Sequence, residues 1–304
     1  MDFPSAKNEF FSLINSLNND DRSEFLSWCK DWCSSDSEYS KKYFDLRTIA
    51  EDIKTLVPTE AIFPSELINH NNLLTESAPR TTPILHVDSF LFEDEHIDSL
   101  VEEGKLSRNY CKDCGSSNVS PITFISHSAS VQRIEFIFQY MLPDISNKVL
   151  LDVGSRLGAI LYGAYYCSNA RKIIGVEINQ DFCKLQQHII EKYHLNDKIE
   201  IIWDNVCNIP HVVQQADVII FNNVFECFMS KTDQEETWKW LRKTVTKSGT
   251  MLVSSPSIEE TLSSLQTGID ISSWLKRIPI TDPEAVLKMD DQDLLSEITS
   301  YVVI

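Results

Sequence analysis

The chain has 304 residues, 42% of them hydrophobic, enough for one large core and a smaller accessory unit. Its 45 acidic against 27 basic side chains give a formal net charge of −18. That field counts against nonspecific nucleic-acid binding and favours a cationic acceptor such as a basic protein segment or a small amine. After Met1 there is no basic region leading into an apolar run, and no stretch of about 18 apolar residues occurs. A soluble, cytoplasmic protein is therefore expected, with the nucleus as the alternative, and the 8 irregularly spaced cysteines read as reduced thiols.

Residues 6–57 read as helical. Phe10, Phe11, Leu13, Ile14 and Leu17 fall at three- and four-residue spacing, Asp20 and Asp21 start a second helix carrying Phe25, Leu26, Trp28 and Trp32, and 43–57 forms a third. Trp28 and Trp32 are expected to pack between helices, and Cys29 and Cys33, one turn apart, to be buried thiols first and metal ligands second. Residues 58–83, rich in Pro, Asn, Ser and Thr, read as an irregular wrap held down by Ile62, Phe63, Leu67, Ile68, Leu73 and Leu74, and as the domain boundary. The division expected is a helical N-terminal region with its linker over 1–84, a connecting segment over 85–125 and a larger domain over 126–304.

The connecting segment opens with an acidic helix around 94–103, followed by the C-x-x-C-G turn of Cys111 and Cys114. Two thiolates at this spacing are half of a zinc knuckle; the others would have to come from Cys29 and Cys33 or from His86, His96 or His127, and the expectation is a turn without metal. A redox pair would want a helix directly behind it, which Gly-Ser-Ser-Asn does not offer. A short strand over 121–125, a polar turn at Ser126, His127 and Ser128, and a helix over 130–141 capped by Ser128 or Ser130 come next.

Residues 149–159 read as a buried strand feeding a glycine turn and a helix: Val-Leu-Leu-Asp152-Val-Gly154-Ser155-Arg156-Leu-Gly158-Ala. A second buried strand over 172–178 closes on Glu177, about 20 residues past the loop, the spacing at which a carboxylate meets ribose hydroxyls. A third over 199–205 closes on Asp204 and a fourth over 217–223 on Asn222 and Asn223, so one rim of the sheet collects Asp152, Glu177, Asp204 and Asn222. Beyond lie a helix over 233–245 with Trp238, Leu241 and Val245 on one face, a fifth strand over 248–256, a helix over 258–265 and a sixth strand over 274–280. Residues 290–293 read as a solvated helix start, and 301–304 as a short terminal strand.

These motifs, in this order and at this spacing, resemble the class I (seven-strand, Rossmann-like) S-adenosylmethionine-dependent methyltransferases from about residue 126 to the C-terminus. The resemblance implies an α/β fold, a doubly wound seven-strand sheet with a helical N-terminal accessory region, and S-adenosyl-L-methionine as cofactor. It places Asp152, Gly154, Ser155, Arg156 and Gly158 at the methionine part, Glu177 at the ribose and Asp204 at the adenine, with Ile178, Asn205 and Asn222 also expected to bind the cofactor. The segment 126–128 is implied to lie over the methionine end. Arg156 stands where the commonest loop of the family has glycine. A dehydrogenase loop fits less well, since G-x-G-x-x-G would need glycine at Arg156 and beyond.

Asn222-Asn223-Val224-Phe225 stands where amide-nitrogen methyltransferases carry two prolines, absent here. Together with Ser254 and Ser255 on the fifth strand, the run is similar to the non-SET histone-lysine methyltransferases, which implies a catalytic role for Asn222 and Asn223 at the methyl end. The expected activity is methyl transfer to a protein side chain or small amine, with no membrane and no nucleic-acid partner. The alternatives are a catalytically idle adaptor on the same fold and an RNA methyltransferase.

Overall fold

The structure, a computed structural model, describes the chain except residues 1–2, 35–37, 59–60, 67–83, 93–100, 103, 105–106, 108, 112–118, 122, 227 and 281–296. Contacts divide it into two compact units, Met1–Asp45 and Leu46–Ile304. The division falls within the third helix, and residues 61–66 pack with the second unit. Of the helix expected around 94–103, residues 101–102 are described and are helical; the rest of it, and the helix start expected at 290–293, lie outside the described residues.

In the first unit, α1 (Phe3–Ser16) and α2 (Asn19–Ser34) are joined by a turn, and α3 (Glu38–Lys54) leads into the second unit. Asn18 starts α2: its side-chain oxygen accepts from the Asp21 amide at 2.9 Å. The Arg22 side chain reaches back to the Ile14 carbonyl at 3.1 Å, and the rings of Phe10 and Phe25 lie 6.2 Å apart. Cys29 is half-buried rather than buried as expected, because α2 is a polar helix with only a narrow apolar stripe. The side chains of Trp28, Trp32 and Cys33 lie outside the description.

In the second unit, β1 (Ile84–His86) pairs in parallel with β4 (Thr123–Ile125), while β2 (Asn109–Cys111) pairs antiparallel with β3 (Val119–Pro121). The single strand expected over 121–125 is thus shared between two small sheets. The helix expected over 130–141 is α4 (Val131–Phe136) continued by a π-helical turn over Ile137–Met141. Ser130 is its cap, accepting from the Arg133 amide at 3.2 Å, whereas the Ser128 hydroxyl donates to Asp88.

The remaining elements alternate: β5 (Val149–Val153), α5 (Ala159–Cys167), β6 (Lys172–Glu177), α6 (Gln180–Lys192), β7 (Ile199–Trp203), α7 (Pro210–Gln215), β8 (Val218–Asn222), α8 (Lys231–Thr244), β9 (Met251–Ser255), α9 (Ile258–Ser263), β10 (Leu275–Ile278) and β11 (Thr299–Val303). The strands form one seven-stranded sheet in the order β10-β11-β9-β8-β5-β6-β7. β5 to β9 run parallel to one another, and β11 is antiparallel to both β9 and β10. Its central strands are continuous apolar runs because helices cover both faces. On one face Val149, Leu151, Val153, Ile174, Val176, Ile219 and Phe221 join Trp238, Leu241 and Ile258 in a single core. By strand alternation Leu150 and Asp152 point to the other face. Among the described residues no helix is long and apolar enough to cross a membrane.

The antiparallel strand is locked by Tyr301, fully buried, whose hydroxyl accepts from the Ile258 amide at 3.1 Å and from Thr299 at 2.8 Å and donates to Glu259. Tyr301→Phe leaves the first amide of α9 without its partner. The expected loss is about 1–3 kcal/mol in denaturant unfolding, with no change in the sheet's far-UV signature.

Candidate functional site

Because β5, β6, β7 and β8 are parallel, their carboxyl ends share one rim, and β5 is the strand at which the order reverses, with β6 on one side and β8 on the other. Loops leaving in opposite directions open a crevice there. A cavity of 410 Å³ occupies it, within the range of roughly 300–1,000 Å³ typical of small-ligand sites.

The turn after β5 forms its floor. Gly154 adopts φ +74°, and a Cβ there would sit 2.3 Å from Val224 Cγ2, so only glycine lets the loop after β8 close against this turn. Gly158 is also left-handed, but it lies off the cavity: it starts α5, and a side chain would strike the Tyr162 ring at 2.6 Å. Asp152 and Ser155 also stand apart from the main cavity. Alternation along β5 turns Asp152 away, and with Ser155 it lines a narrow neighbouring hollow of about 10 Å³ that His127 shares. The Ser155 hydroxyl donates to Gln186 at 2.8 Å. These three residues shape the loop and do not line the main cavity.

On the β6 and β7 side the lining is acidic and amphipathic. Glu177 accepts from the amides of Arg156 at 2.9 Å and Asn179 at 2.7 Å, one on each oxygen, which leaves acceptor sites over. Burial nonetheless raises its pKa above the ordinary carboxylate value, with the two amide bonds opposing. Ile178 is 64% exposed and lines the cavity with Val206. Asp204 accepts from the Asn205 amide at 2.7 Å and Asn208 Nδ2 at 2.8 Å, and Asn205 caps the short 3-10 turn Val206–Asn208.

On the β8 side the lining turns to amides and rings. Asn222 directs Nδ2 to the His127 carbonyl at 3.4 Å, and its Oδ1 is buried with no hydrogen-bond partner. Asn223, left-handed at φ +51°, is fixed by its amide to the Ser255 carbonyl at 2.7 Å. The ring of Phe228 meets that of His127 at 4.9 Å and 57°. His127, Asn222, Asn223, Phe225 and Phe228 all line the same cavity as Glu177 and Asp204.

Arg156 joins the floor to elements far away in sequence. It is 7% exposed at φ +45°, a conformation that suits the glycine it stands in for. Its Nη1 donates to Asp88 at 2.8 Å, its Nη2 to the Ala61 carbonyl at 2.6 Å, and its guanidinium lies 4.9 Å from the centre of the Phe182 ring. Asp88 in turn accepts from Ser128 Oγ at 2.6 Å and from the Phe90 amide at 3.0 Å. Residues 61–66 are fastened further by Phe63 against Phe182 at 4.9 Å and by Ser65 donating to Asp181 at 2.8 Å, which brings Glu66 to the cavity wall. Sequence reasoning missed Glu66 and Asp88: both sit in irregular stretches, and no local pattern marks them.

Among the described residues no group of three or more His, Cys, Asp or Glu is placed to hold a metal. Cys111 lies on β2, and Cys114 lies outside the described residues.

Residues 144–291, just under half of the chain, match a family model described as a methyltransferase domain. An RNA methyltransferase from Salinibacter ruber in complex with S-adenosyl-L-homocysteine is similar at 16% identity, with 58% of this chain and 93% of that chain covered and a TM-score of 0.39. An O-methyltransferase from Bacillus cereus, also complexed with S-adenosylhomocysteine, is similar at 13% identity, with 59% and 84% covered and a TM-score of 0.40. No curated protein matches this chain in sequence. The seven-stranded order with its antiparallel β11 is the Rossmann-like methyltransferase arrangement. Residues 144–291 are thus similar to a methyltransferase domain, and S-adenosylmethionine is the cofactor that the loop and strand-end motifs imply for it.

The cavity fits that molecule. Carboxylates suited to a sugar diol and to a cation line one side, Ile178 and Val206 offer apolar surface for a base, and a buried, unpartnered amide oxygen stands on the other side.

Two outcomes are expected. Asp88→Ala removes the nearer of the two buried carboxylates that face the Arg156 guanidinium, leaving Nη1 without its acceptor and Glu66 at 3.5 Å, and should cost about 1–3 kcal/mol in denaturant unfolding. Adding Arg156→Gly should recover part of that loss, because the charge is gone and glycine accepts the left-handed backbone. The second concerns pH. Burial, with the neighbouring Glu177 charge, raises Asp152 from 3.8 to about 8. Across that window the folded carboxyl holds a proton that the unfolded one has released, so stability falls as pH rises. Asp152→Asn should flatten that decline, measured by unfolding at about pH 5 and about pH 8.

Proposed function

We propose that this protein transfers a methyl group from S-adenosylmethionine to nitrogen on a protein side chain or a small amine. The observation that carries this reading is Asn222. Its buried Oδ1 can only accept, so the group that completes it carries a hydrogen, and an amine nitrogen does so while presenting its lone pair. The bound cofactor supplies an electrophilic methyl on a cationic sulfur. What remains for the chain is to align the acceptor and exclude water. Asn222 orients the nitrogen, Asn223 holds the loop through its bond to Ser255, and Phe225, Phe228 and His127 make the walls. Glu177 takes the ribose, Asp204 with Asn205 and Ile178 takes the adenine, and the 154–156 backbone takes the methionine part.

Two observations favour an amine over a phosphate-bearing acceptor. The one cation among the described lining residues, Arg156, is committed to Asp88 and Ala61, and the net charge is −18. The similarity of the 217–225 run to the non-SET histone-lysine methyltransferases makes a lysine side chain the first acceptor to try. A second reading, a methyltransferase-fold adaptor, draws on Arg156 itself, whose side chain fills part of the crevice where glycine would leave room.

Calorimetric titration with S-adenosylhomocysteine separates these readings, since an adaptor gives no heat at millimolar ligand. Methyl-labelled cofactor added to fractionated lysate then reports the acceptor: label in protein or small amines is expected, and label in RNA overturns the amine assignment. Glu177→Ala should weaken cofactor binding by roughly 1.5–3 kcal/mol through loss of its charge-assisted bonding to the sugar, read in the same titration.

A further inference from the structure

The crevice wall contributed by residues 61–66 lies outside the 144–291 methyltransferase domain. Glu66 is 8% exposed and lines the cavity that Glu177 lines. Its Oε2 accepts from the Phe63 amide at 3.2 Å, which fixes the carboxylate plane. Its Oε1 faces Arg156 Nε at 3.5 Å, and Nε is buried with no hydrogen-bond partner. Donor and acceptor thus lie side by side at the cavity wall, attracted as charges but too far apart to bond well to each other. The group that completes both at once is one that accepts and donates together, a hydroxyl.

Arg156 also fixes where such a hydroxyl belongs. Its own amide is bonded to Glu177 Oε2 at 2.9 Å, so one residue holds both carboxylates at the same edge of the cavity. Resting on the proposed function, we infer that Glu66 is a second sugar-binding carboxylate of the cofactor site. Glu177 takes one hydroxyl of the ribose diol, and the Glu66–Arg156 pair takes the other, Nε donating to its oxygen and Oε1 accepting its proton. The pair selects a free diol. A phosphate on either hydroxyl would meet two carboxylates with Arg156 already engaged, so nucleotides phosphorylated there are excluded.

The test is calorimetric titration of S-adenosylhomocysteine, 5′-methylthioadenosine and the 2′,3′-dideoxy analogue of S-adenosylhomocysteine into wild type, Glu66→Gln and Glu66→Ala. Glu66→Gln keeps an acceptor for the Phe63 amide, so its melting temperature controls for loosening of residues 61–66. The expected result is about a tenfold loss of affinity for both diol ligands in Glu66→Ala, a smaller loss in Glu66→Gln, and no change for the dideoxy analogue.

Unchanged affinity for S-adenosylhomocysteine in both variants would overturn the inference while leaving the methyltransferase reading intact. A loss confined to S-adenosylhomocysteine, with methylthioadenosine unaffected, would overturn it too, by moving Glu66 to the amino-acid end. Wild type that binds none of the three ligands would sink the proposed function, and this inference with it.

Discussion

A guanidinium taken out of water must have its hydrogens satisfied in place, and that constraint on Arg156 organises the site. Asp88 and the Ala61 carbonyl meet it directly, Phe182 covers one face, and Glu66 supplies a nearby charge. Each partner draws another segment in. Asp88 carries Ser128, and so the start of α4, while Ala61 carries residues 61–66, which Phe63 and Ser65 then fasten to α6. A glycine at 156 would make the same turn without strain but would leave these segments with nothing to converge on. The left-handed backbone of a bulky residue is the cost of that convergence.

The crevice itself follows from topology. Parallel strands point their carboxyl ends one way, and the reversal of order at β5 parts the loops on either side of it. The β6 and β7 ends bring carboxylates, and the β8 end brings amides and rings. The division of labour between nucleoside and acceptor proposed here is therefore also a division between the two halves of the sheet. Gly154 lets them meet, since the loop after β8 closes on its missing side chain.

Charge runs through the same geometry. Burial raises both Asp152 and Glu177, and the Glu177 charge raises Asp152 further. Such a site is incomplete without hydroxyl donors or positive charge, and a cationic nucleoside brings both. Asp152 stands behind the floor rather than in the cavity, so its contribution is to the loop's stability and to the field beneath it.

The parallel sheet, its glycine turn and the polar strand ends at Glu177, Asp204 and Asn222 were legible in the sequence because they are local: apolar runs of strand length, closing on a polar residue, repeat at a regular interval. The π-turn ending α4 and the split of 119–125 between two small sheets were not, since pairing partners far along the chain decide them. Asp152, Ser155 and Gly158 fit the loop pattern, yet strand alternation and the Tyr162 ring set them off the cavity. Glu66, Asp88 and Ala61 had no local signal at all. An acid in an irregular stretch looks solvated until a buried cation in another part of the chain requires it, and only the tertiary structure brings the two together.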